Sequence, residues 1–235
     1  MSDLLTTVTK LSNAFGACGF EEEVTDLIAD ELHDLGELSR DKMKNLYFSR
    51  KENETALDDD LPLSTEGRRL RVMLDAHTDE VSFMVQAILP NGCLRILPLG
   101  SWLATNVPAH TMLIRTMNGK YIKGISSSRP PHFLAEGDRG NSVRMETIIL
   151  DIGSSDPEET LRRGIRIGAP VVPDVQTAYD PENDLLLGKA FDCRSGCSAI
   201  IHSHYGWASL ADHQHTVDLA VKLLEELNAE VYGRL

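Results

Sequence analysis

The sequence predicts an α/β protein whose framework is interrupted by a mostly β insertion. Three observations predict it. Apolar residues recur at helical spacing at Leu4, Leu5, Val8, Leu11 and Phe15, and again at Val24, Leu27, Ile28, Leu32 and Leu35. Between residues 87 and 173 the pattern changes to short strands separated by turns. After Pro173 strands and helices alternate again, with Leu185-Leu186-Leu187 as a strand and helices expected from near Ser195 and over 217–228.

Each element has its own signal. The Gly16-Ala17-Cys18-Gly19 break separates the first two helices, and Gly36 is expected to stop the second. Residues 45–48 read as a short strand leading into the polar stretch 50–69, where Asp58-Asp59-Asp60 reads as a solvated loop tip, with a bound cation as the alternative. Residues 70–76 form a β-rich apolar run, and Val81, Phe83, Val85 and Ile88 continue beyond Glu80. Inside the insertion the expected strands are 93–97, 111–116, 121–125, 146–152 and 170–172, with Asn118-Gly119 as a hairpin turn. One helix interrupts them, with Ser155 as N-cap, Glu158 completing a capping box and Gly164 placed to end it. A last strand begins at Glu230-Val231-Tyr232.

Composition narrows the function classes. At 235 residues and 42% hydrophobic, the chain can bury one large core or two smaller ones without staples. A formal net charge of −13 argues against nucleic acid and anionic membrane as partners, because both need clustered Lys and Arg. The four cysteines, Cys18, Cys93, Cys193 and Cys197, are scattered through the chain and read as free thiols of a reducing compartment. No secretory leader or membrane-length apolar run is visible, so the expected location is cytoplasmic.

Two constellations carry chemistry. His77 and Asp79 lie two apart at the end of the expected strand, so an extended backbone sends both side chains to one side. A histidine there can bind a metal through one ring nitrogen while a carboxylate fixes the other; equally, it can be a strand-end histidine held by hydrogen bonds. Asp192, in Gly188-Lys189-Ala190-Phe191-Asp192-Cys193-Arg194-Ser195-Gly196, stands where a strand gives way to a helix. By spacing alone it reads as a helix N-cap.

The two motifs occur in order around the insertion, and with residues 11–23 (LSNAFGACGFEEE), 72–85 (VMLDAHTDEVSFMV), 126–134 (SSSRPPHFL), 149–172 (ILDIGSSDPEETLRRGIRIGAPVV) and 188–196 (GKAFDCRSG) the chain resembles the glutamyl aminopeptidase family of dinuclear metallopeptidases. That family includes the tetrahedral aminopeptidases and proteins once labelled endoglucanase. The resemblance implies an aminopeptidase-like catalytic domain, residues 1–82 and 174–235, interrupted by a PDZ-like dimerisation domain over 83–173, and homo-oligomers from dimer to dodecamer. It implies that His77 is a ligand to one metal, that Asp192 bridges two, and that Asp79 is the catalytic-site carboxylate orienting the histidine. The cofactors implied are two divalent ions, zinc or cobalt, and the substrates peptides that lose N-terminal residues.

The match is incomplete. The family supplies its catalytic glutamate and a ligand glutamate as a pair after the strand that here begins at Glu230, and the later aspartate and histidine ligands lie further on; the expectation is a C-terminally incomplete domain, inactive as this chain alone. Glu225-Glu226 does not replace the pair, since its surroundings read as a helix with a solvated acidic face. Cys193 stands where the family usually has Asp or Asn; a thiol can ligate zinc, but a small buried side chain is the simpler reading. His202, His204, His213 and His215 form two His-x-His pairs, read as a solvated insertion rather than a metal site. The alternative function is a non-catalytic remnant or assembly subunit.

Overall fold

The computed structural model describes residues 3–50, 73–128 and 143–202. The acidic run at 58–60, the expected helix over 217–228, the strand from Glu230 and the histidines beyond His202 lie outside the described residues.

Helical periodicity near the N-terminus gives α1 (Asp3–Asn13) and α2 (Glu22–Leu32). Their apolar stripes bury Leu4, Leu5, Val8 and Leu11 on α1 and Val24, Ile28 and Leu32 on α2. Leu11, Val24, Ile28 and Leu32 pack with Cys197 and Ile201 of the last described helix into one core. Gly36 does not stop α2. It opens β1 (Gly36–Arg40), which pairs antiparallel with β2 (Leu46–Arg50) in the register Gly36 to Arg50. A Cβ at Gly36 would lie 2.2 Å from the Ser49 carbonyl oxygen, so this glycine serves the close approach of two backbones.

Of the run 70–76 expected as a strand, residues 70–72 lie outside the described residues, and the rest is not extended into a ladder. Residues 73–79 have no regular secondary structure, and Met73 is 81% exposed. Their β-propensity meets no partner strand among the described residues, and without pairing an apolar run does not hold a strand.

The middle of the chain is a closed barrel. β3 (Ser82–Ile88), β4 (Leu94–Leu99), β5 (Thr111–Arg115), β6 (Tyr121–Ser127), β7 (Ile149–Asp151) and β8 (Pro170–Pro173) close in the order β3-β4-β7-β6-β5-β8. Every neighbouring pair is antiparallel. Alternation sends Phe83, Val85, Leu94, Ile96, Met112, Ile114, Leu150 and Val171 inward to one core. Single 3₁₀ turns at Ala104–Asn106 and Met145–Thr147 lie in its connections. At the Asn118-Gly119 turn Gly119 has φ +76°, a conformation that glycine takes without a Cβ clash.

The barrel's helix is α3 (Pro157–Arg162), capped one residue later than expected. The Asp156 side chain accepts a hydrogen bond from the Glu159 amide at 2.7 Å, and Glu159 accepts one from the Ser155 amide at 2.9 Å. Pro157 explains the shift. It has no N–H and fits the first helical position, which makes Asp156 the cap. Gly164, at φ +88°, follows the helix end as expected.

Beyond the barrel, β9 (Ala178–Asp180) and β10 (Leu185–Leu187) form an antiparallel hairpin. Tyr179 and Leu186 pack against Leu4, Leu5 and Val8 of α1. The helix α4 (Phe191–His202) follows, with non-helical backbone at Asp192 and Cys193, so its regular part starts at Arg194, close to the expected Ser195. Phe15 of the helical layer lies against Tyr121 of β6 with ring centroids 5.3 Å apart, and Arg115 of β5 bonds Glu22 of α2 at 3.2 Å. Barrel and helices therefore pack as neighbours. Among the described residues no helix is long and apolar enough to cross a membrane.

Candidate metal centre

Two segments far apart in sequence meet between the helical layer and the barrel. The first runs to Glu80, whose amide bonds the Gly16 carbonyl at 2.8 Å beside an isolated parallel bridge between Ala17 and Glu80. The second leads into α4. Ser12 donates to the Lys189 carbonyl at 2.7 Å, and Ala190 takes a left-handed backbone at φ +56°, a sparsely populated conformation for a residue with a Cβ. The chain then turns through Phe191 to Asp192, and the Asp192–Cys193 peptide is cis.

A buried charge cluster joins the segments. Lys189 Nζ lies 3.0 Å from Glu80 Oε2, and Arg194 Nη2 lies 3.7 Å from Glu80 Oε1. Glu80 is 3% exposed and Arg194 fully buried. Arg194 also donates to the carbonyls of Leu11 and Ala14, which ties α4 to the end of α1. Burial pushes the Glu80 carboxyl up, against the pull of Lys189, and pushes Lys189 and Arg194 down. Breaking one member leaves the others as unpaired buried charge. Sequence reasoning missed this cluster. Its only trace was the set of ionisable residues flanking both motifs, Glu80 after Asp79 and Lys189 and Arg194 around Asp192.

Clamped in this way, the segments place His77 between two carboxylates. His77 Nδ1 lies 3.0 Å from Asp79 Oδ1, and His77 Nε2 lies 3.2 Å from Asp192 Oδ1. Behind the ring, Cys197 Sγ donates to the His77 carbonyl at 3.4 Å; burial pushes this thiol up to about 11, so it stays protonated near neutral pH. The Asp192 side chain is 97% exposed, which leaves its second oxygen open to solvent.

The structure thus brings together the three residues singled out from the sequence, His77, Asp79 and Asp192. It adds Cys193, whose Sγ joins ligand atoms of His77 and Asp192 in a group lying within 4.8 Å of one another. An imidazole, a carboxylate and a thiol suit a zinc-type cation, and a carboxylate on the far ring nitrogen is the usual support of a metal-binding histidine. The donor set therefore fits a divalent metal. Glu80, next to Asp79, is turned inward to its cation partners and does not face this group.

The framework is mixed helix and strand, and a closed barrel lies in sequence between the segments that carry His77 and Asp192. Residues 62–231 match the family described as M42 glutamyl aminopeptidase, and the chain belongs to that family. FrvX of Escherichia coli strain K12 is 32% identical over 190 residues, covering 80% of this chain and 49% of the relative. The glutamyl aminopeptidase of Lactococcus lactis is 28% identical over 205 residues, covering 85% of this chain and 53% of its own length. Among solved structures, the TET aminopeptidase of the marine sediment archaeon Thaumarchaeota archaeon SCGC AB-539-E09 superposes with a TM-score of 0.75 at 29% identity, over 85% of this chain and 52% of that one. The chain spans about half the length of the curated relatives it matches.

Proposed function

We propose that this chain carries one half of a metal-dependent aminopeptidase site, with His77 as a terminal ligand, Asp192 as the carboxylate bridging two ions and Asp79 as the residue that orients His77. The observation carrying this reading is the placement of His77 between Asp79 and Asp192 at 3.0 and 3.2 Å. With a metal bound, Asp79 would accept the Nδ1 proton of His77 and so leave Nε2 as the nitrogen that ligates the ion. Asp192 has one oxygen beside His77 Nε2 and a solvent-exposed side chain, so its carboxylate would be available to hold ions. Two divalent ions, zinc or cobalt, supply Lewis acidity and an acidified water at such a centre when bound.

Proton transfer to the leaving amine needs a general acid–base in reach of that water. Glu80 is withdrawn into its buried ion pairs, and the grouped donors are His77, Asp192 and Cys193. The described residues therefore bind and orient, and a glutamate base and further ligands must come from elsewhere. Cobalt-loaded chain is expected not to hydrolyse aminoacyl-anilides alone and to gain activity with a complementing C-terminal segment of a family member. Failure with that segment under conditions where both parts bind each other overturns the reading.

A second reading, an assembly subunit without activity, draws on the barrel surface. Leu103, Ile125 and Ile167, all within residues 83–173, are 70%, 58% and 69% exposed. In this reading the barrel, residues 83–173, is the PDZ-like dimerisation domain inserted between 1–82 and 174–235. Light scattering showing dimers or larger assemblies supports it, and a monomer counts against it.

A further inference from the structure

Cys193 stands where the family usually has Asp or Asn, and the sequence alone favours a small buried side chain over a ligand. In the structure it is half-buried and its sulfur belongs to the donor group of His77 and Asp192. It differs from the other three cysteines. Cys18 is exposed, Cys93 lies in the barrel, and Cys197 is buried with its thiol committed to the His77 carbonyl. Cys193 is half-buried at the kink that opens α4, one residue from Asp192. Its sulfur faces Gly196, where a Cβ would come within 2.6 Å of Sγ. The sulfur thus occupies a space that only a glycine leaves open.

We propose that Cys193 is a direct thiolate ligand of the metal held by His77 and Asp192, giving this chain a sulfur-containing site. The proposal rests on the metal-site reading above. At ordinary zinc–nitrogen and zinc–sulfur bond lengths, two donors of one tetrahedral ion stand about 3.5 Å apart. The donor atoms of His77, Asp192 and Cys193 already lie within 4.8 Å of one another, close to that spacing. A thiolate makes the centre softer than the Asp or Asn usual at this position of the family, and soft donors favour zinc and cadmium over manganese and magnesium.

The test is a cobalt(II) titration of the full chain, followed by absorption. Cobalt d–d bands report whether the metal binds at all, and a near-ultraviolet sulfur-to-cobalt charge-transfer band reports whether a thiolate binds it. The expected result is that both grow together in the wild-type protein and are lost in His77→Ala. In Cys193→Asp the d–d bands remain and the charge-transfer band disappears; Cys193→Ser weakens cobalt binding about tenfold or more. Cobalt binding with d–d bands but no charge-transfer band in the wild type overturns the thiolate and leaves the His77–Asp192 site standing. Persistence of the charge-transfer band in Cys193→Asp also overturns it. Absence of any cobalt binding overturns the site reading and this inference together.

Discussion

His77 Nε2 lies 3.2 Å from Asp192 Oδ1, although 115 positions of sequence separate the two residues. A whole barrel is folded between them, and its insertion does not disturb the pair because its ends, β3 and β8, are neighbours in the same closed sheet. The chain leaves the site at Glu80 and returns to it at Lys189. Those two residues form the buried ion pair that fixes the spacing.

Asp79 holds the far side of the imidazole. Asp79→Asn removes the charged acceptor from Nδ1 and is expected to lower zinc affinity by about 10- to 100-fold, the usual effect of losing such a supporting carboxylate. Isothermal titration with zinc measures it. The same substitution should leave thermal stability nearly unchanged, since Asp79 is 40% exposed.

Glu80 is expected to matter for stability. Glu80→Ala leaves Lys189 and Arg194 buried without their counter-charge, and the expected loss is about 3–5 kcal/mol in urea unfolding. A loss under about 1 kcal/mol would mean that the cluster does not hold the two segments together.

The cap of α3 separates two neighbouring residues. Asp156→Ala removes an acceptor for the Glu159 amide and should cost about 1 kcal/mol. Ser155→Ala should be close to neutral, because Ser155 is exposed and contributes its backbone amide to the motif. Denaturation midpoints of the two variants decide the register.

Glu22 gives the protein a pH dependence. Burial raises its carboxyl, but hydrogen bonds from Lys44 and Arg115 outweigh this and hold it below the ordinary carboxylate value. A folded value below the unfolded one, about 4.3, means that the unfolded chain takes up a proton first as pH falls. The stability that Glu22 contributes is therefore present above that value and lost as pH drops through the folded one. Glu22→Gln should flatten the fall in stability below about pH 5 relative to wild type, as read from unfolding curves over a pH series.

Much of the fold was legible where periodicity is strong and local. The stripes of α1 and α2 and the turn-separated strands of the barrel stand close to where their patterns put them. Gly36 was misread because a glycine after a helical stretch looks like a stop, whereas here it admits the backbone of Ser49. The strand expected before His77 depends on a partner strand, and propensity alone does not reveal whether one is present. At the site, His77, Asp79 and Asp192 were legible through their motifs, but the contact between them is a tertiary fact. The cluster of Glu80, Lys189 and Arg194 was not legible, because charges look alike on paper until burial distinguishes them. Cys193 was singled out but read as a small buried side chain, whereas it lies half-buried beside His77 and Asp192.

The central claim, that His77 and Asp192 grip a metal together, is tested most directly by anomalous diffraction at the zinc edge from zinc-loaded crystals of the full chain. The expected result is an anomalous peak about 2.0–2.2 Å from both His77 Nε2 and an Asp192 carboxylate oxygen. A protein that takes up zinc with its anomalous peak elsewhere, and none between these two residues, would contradict it.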